Sequence, residues 1–133
     1  MVATAVLVAG LAGCSSASVA QGRDDARAAC SAEAPRLPAG FDVRSAPADV
    51  MSALAESAAA RKAMAEKAAA ADGRWQVLAD AASAISSFAG VLRDARSTGR
   101  AVDDVVTADM WNQYKYASDA FILECKGALA ASG

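Results

Sequence analysis

"WQVLADAASAISSFAGVL" runs from Trp75 to Leu92. Its residues Trp75, Leu78, Ala82, Ile85, Ala89 and Leu92 recur in steps of three and four, the spacing of a helix that packs along one seam as in a coiled coil. Asp72 stands just before this stretch where an N-cap belongs, and Gly73 interrupts the alanine run upstream. On the other side, Ser97-Thr98-Gly99 is a turn signal. A chain organised around such a seam is helical.

The neighbouring segments extend the pattern. Pro47 falls in the first turn of a helix that runs to about Ala71, with Ser45 as its candidate cap. The last helix begins between Arg100 and Thr107 and carries an inner stripe of Val102, Val106, Met110, Tyr114, Ala117, Phe121 and Cys125. Residues 23–33, RDDARAACSAE, read as a short helix with its acidic residues early. Residues 34–47 hold all three prolines and read as an extended connection. No alternating β pattern occurs. The expected fold is all-α: an antiparallel up-down three-helix bundle with coiled-coil-like packing, preceded by a short N-terminal helix and an extended strap.

Composition qualifies the core. Alanine makes up more than a quarter of the 133 residues and inflates the 55% hydrophobic content. Alanine is the best helix former but contributes little side-chain area. The larger core candidates are Val50, Leu54, Trp75, Leu78, Ile85, Phe88, Leu92, Trp111, Tyr114, Phe121 and Ile122. They predict closely spaced helices around a slender centre.

The chain opens differently. Residues 2–12, VATAVLVAGLA, are uncharged and apolar or small. They are too few for a membrane-spanning helix, which takes ~20 apolar residues, and suit the apolar region of a secretory signal. Leu11-Ala12-Gly13-Cys14 follows. This motif resembles the lipobox of bacterial lipoproteins, although no Lys or Arg follows Met1 as in the usual basic start of such signals. The resemblance implies a signal peptide over residues 1–13, a lipid on Cys14, a flexible tether over residues 14–22 and a single helical domain over residues 23–133. A rival cut after Ala20, at Ser18-Val19-Ala20, would instead release a soluble secreted protein.

With Cys14 assigned to lipid, Cys30 and Cys125 are the remaining thiols. Export places them in an oxidising compartment, where such a pair most simply forms a disulfide. A metal pair lacks partners, since the chain has no histidine and two thiolates rarely make a closed zinc site. In the expected bundle Cys125 lies near the end that holds the Asp72 turn. A strap of about a dozen extended residues at ~3.3 Å each then carries the chain ~40 Å back along the bundle to start the next helix. This puts the Asp72 turn and the C-terminus near the tether and makes the Arg93–Asp104 turn the outward tip.

Formal net charge is −2, with 13 basic and 15 acidic residues interleaved, so the footprint of a nucleic-acid binder is absent. Without histidine, Ser–His and Cys–His nucleophiles are excluded. Asp24-Asp25 and Asp103-Asp104 are adjacent on a helix and diverge by ~100°. No calcium loop or phosphate-binding glycine loop is present. We therefore expect no catalytic residue, metal or cofactor.

Two sets of residues remain as contact candidates. Trp111 and Tyr116, from "MWNQYKY", cannot both face inward, and Arg96 and Arg100 lie at the expected tip. The expected function is a non-enzymatic interaction or structural module. It would be held by lipid on the extracytoplasmic face of the cell membrane, where it meets an envelope protein or cell-wall component. The alternative is a carrier of a small ligand or lipid, with a pocket between helices lined by Met51, Met64 and Met110.

Overall fold

The computed structural model of the chain describes residues 6–37 and 39–130, with side chains from residue 16 onward. Five α-helices are present among the described residues: α1 (Val6–Ser31), α2 (Ala48–Ala71), α3 (Gln76–Ser97), α4 (Val102–Val105) and α5 (Ala108–Ala130). The four long ones form a ring. α1 packs on α2 and α5, and α3 packs on the same two from the opposite corner.

This overturns the expected three-helix bundle. Residues read as the latter part of a signal peptide, a tether and a short helix form one continuous helix of 26 residues, Val6–Ser31. The physical reason is a stripe of small residues. Gly22, Ala26 and Ala29 recur in helical steps and are all buried. They lie against the small inner face of α2, where Ala65 and Ala68 are also buried. A Cβ on Gly22 would come within 2.9 Å of the Asp72 Cβ and 3.1 Å of the Ala68 carbonyl oxygen, so only glycine fits this contact.

The local signals around α3 hold. Asp72 caps the turn that leads into it, its side chain accepting from the Arg74 amide at 3.1 Å. Gly99 closes α3 with φ +71°; its N–H donates to the Arg96 carbonyl and the Arg100 N–H donates to that of Ala95, a Schellman arrangement. The inner stripe expected for the last helix is broken in two. Val102 belongs to α4, and Thr107 caps α5 by accepting from the Met110 amide at 3.2 Å. By length and hydropathy, Gly73–Ser97 would be capable of crossing a membrane. In this fold it packs one face on α2 and α5, with 39% of its most apolar stretch buried.

The core has two halves. The lower half, at the Asp72 end, is packed almost wholly with small residues around Trp75 and Leu78. The upper half gathers Met51, Phe88, Leu92, Val102 and Val106, with Phe41, Trp111 and Tyr114 packed against them. Cys30 and Cys125 are joined by a disulfide that ties α1 to α5 across a sequence separation of 95.

α1 climbs only part of the bundle. Its end is fixed to the middle of α2, where Arg61 donates to the Ala32 carbonyl at 2.8 Å and Ser57 to that of Glu33 at 3.4 Å. Above that level the strap takes the place of a helix. From Arg61 to Ala48 is only ~20 Å along α2, less than the expected ~40 Å, because α1 itself covers the rest. The surplus chain is taken up in a turn at Gly40, φ +74°, and a 3-10 turn at Val43–Ser45 capped by Asp42. The far end is pinned by Arg96, whose Nε donates to the Ala46 carbonyl at 2.6 Å.

Candidate ligand cavity

Replacing a helix by a strap leaves space that the strap does not fill. A cavity of about 540 Å³ lies between the strap, α2, α3 and α5, within the ~300–1,000 Å³ range of small-molecule sites. Its walls are mainly apolar: Leu37, Phe41 and Val43 from the strap, Met51 and Leu54 from α2, and Ile85, Phe88 and Leu92 from α3. Trp111 and Tyr114 of α5 complete it.

The helical seam of α3 registers this space. Trp75, Leu78, Ala82 and Leu92 are buried, whereas Ile85 and Ala89 remain half-buried. Those two line the cavity, together with the buried Leu92 at its edge. Opposite them α2 offers Ala58, too short to cross the gap.

An aromatic group stiffens the upper wall. Phe88 stacks on Tyr114 with ring centres 4.5 Å apart and meets Trp111 edge-on at 4.9 Å. Arg44 lies over the Trp111 ring, 5.2 Å from its centre, and its Nε pairs with Asp103 at 3.1 Å. At the lower end stands Arg61, half-buried and also lining the cavity. Its Nη2 holds the Ala32 carbonyl, while its buried Nε meets no acceptor. Among the described residues no carboxylate lies within ion-pair distance of it.

The residues singled out in the sequence fall in different places. Trp111 is half-buried and lines the cavity. Tyr116 is 76% exposed and, five positions on, lies about 140° around α5 from it. Arg96 is engaged with the strap, and Arg100 is exposed beyond the end of α3. These four do not form one surface. Of the methionines, Met51 lines the cavity. Met64 packs on the lower core, and Met110 borders a separate cleft of about 160 Å³. Cys30 and Cys125 meet as a disulfide. Cys14 lies within the α1 backbone, its side chain outside the described residues.

Arg44, Arg61 and Phe41 were not singled out in the sequence as site residues. The signal was present in two pieces: a strap carrying Phe41 and Val43 among its prolines, and an α2 inner face with only alanine at 55 and 58. Neither points to a cavity until the strap is known to replace a helix. Among the described residues, no three His, Cys, Asp or Glu side chains gather as a metal site. Compared with protein-family models, curated proteins and solved structures, the chain matches none.

Proposed function

We propose that this chain is an exported lipoprotein, held by lipid on Cys14 at the extracytoplasmic face of a bacterial cell membrane, and that its bundle is a non-enzymatic carrier of a small apolar or amphipathic ligand. The cavity carries the reading: its size, apolar walls and few polar groups are those of a ligand site. The carrier takes precedence over docking at the tip because Arg96 and Trp111 are both engaged within the fold. Two features support the anchoring. The Leu11-Ala12-Gly13-Cys14 motif is one. The other is the course of α1, which runs antiparallel to α2 and continues upstream of the Gly22–Asp72 contact, past the end of α2.

Mass spectrometry of protein extracted from membranes tests both parts. Denatured, the chain should start at Cys14, carry acyl groups and lack two hydrogens for the Cys30–Cys125 bond. Under native conditions it should retain a ligand. A chain that is unacylated or starts at Gln21 ends the anchoring proposal, and a consistently empty protein ends the carrier proposal.

A further inference from the structure

The polar groups of the cavity are unevenly balanced, and this bears on the ligand. Of the charged side chains that line it, Arg44 is neutralised by Asp103 and shares its end of the cavity with Asp42, whose carboxylate caps the strap turn. Arg61, at the other end, has no carboxylate partner among the described residues. A guanidinium offers five N–H donors, and the one hydrogen bond Arg61 makes within the described fold uses Nη2 on the Ala32 carbonyl. Its Nε is buried without an acceptor, as are Arg23 Nε and Trp75 Nε1, and is out of reach of a molecule in the cavity. The unpaired charge is what matters: a half-buried cation without a carboxylate partner is costly unless an anion reaches it. Guanidinium is also the group best matched to a carboxylate or phosphate.

Between the two ends lies a stretch of wall with no charge: Met51, Leu54, Ile85, Phe88 and Leu92. Resting on the carrier reading, we infer that the cavity takes a single-chain amphiphile with an anionic head, the chain lying along this wall and the head against Arg61. A fatty carboxylate and a monoacyl phosphate share that chemistry.

The test uses the full chain with its disulfide formed and Cys14→Ala, so that no attached acyl group competes. Laurate, a lauroyl lysophosphatidate, lauryl alcohol and dodecyltrimethylammonium are titrated by calorimetry below their micellar concentrations. The two anions should bind at least tenfold tighter than the alcohol or the cation, and the tighter anion names the source. Each methylene removed from the chain should weaken binding roughly fourfold. Arg61→Met should bring laurate down to the level of the alcohol, and Arg61→Lys should keep a preference for anions. The series on the unsubstituted Arg61 protein stands even if Arg61→Met loosens the strap. Equal binding of all four head groups, or an anion preference that survives Arg61→Met, overturns the assignment of the head group and leaves the carrier intact. No binding by any of the four overturns both.

Discussion

Gly22 illustrates how one residue type can be read in two ways. Following a serine-rich run, a glycine suggests a flexible tether. In the fold it is buried, because a side chain there would collide with Asp72 and the Ala68 carbonyl. Flexibility and close approach both call for a missing Cβ, and only the partner helix distinguishes them. We predict that Gly22→Val forces α1 away from α2 and destabilises the protein by about 1–3 kcal/mol, read as a lowered urea midpoint with unchanged slope. Val19→Ala, at a position 52% exposed on the same helix, should leave the midpoint nearly unmoved. Arg96 is a similar case. As a charge beside a turn it reads as solvated, but it reaches across 50 positions to hold the strap.

At the scale of elements, the seam of α3 was legible from its spacing, and so were the Asp72 cap, the Gly99 stop and the end of α2 at Ala71. The start of α2 was not: Ser45 does not cap it but closes the 3-10 turn, its Oγ donating to the Asp42 carbonyl, and the helix begins at Ala48 with Pro47 in the cap position. Periodicity shows which face of a helix turns inward, but not whether anything meets it. Ala82 and Ala89 are equivalent in the repeat, seven residues apart, yet Ala82 is tightly packed in the lower core and Ala89 borders open space. The same substitution should therefore have opposite effects. Ala82→Leu should destabilise by about 1–3 kcal/mol through overpacking. Ala89→Leu should stabilise by about 1–2 kcal/mol by burying apolar surface in the cavity, while abolishing ligand binding. Thermal melts of the two variants and a laurate titration of the second check this pair. A parallel loss of stability in both would mean that the upper half is as full as the lower.

The molecule as a whole depends on a crosslink that the cysteine count made visible, even though the bundle around it has one more long helix than expected. The number of helices was obscured because an apolar leader, a serine-rich run and a charged helix look like three segments in sequence and fold as one. With so much of the core built from alanine, the disulfide supplies a large share of cohesion. A bond closing a loop of this size contributes about 4–5 kcal/mol in the chain-entropy model. Cys30→Ser combined with Cys125→Ser should lower the unfolding free energy by about that amount. In the intact protein, reductant should lower the urea midpoint to that of the double variant.

The placement of this crosslink also decides where tension travels. A pull between the two ends of the chain passes along α1, crosses the sulfur bridge into α5, and leaves by the last few residues. Everything from Ser31 to Glu124 is a side loop outside that line of force. The walls of the cavity belong to this loop, so a protein stretched between its ends would keep the cavity mechanically slack.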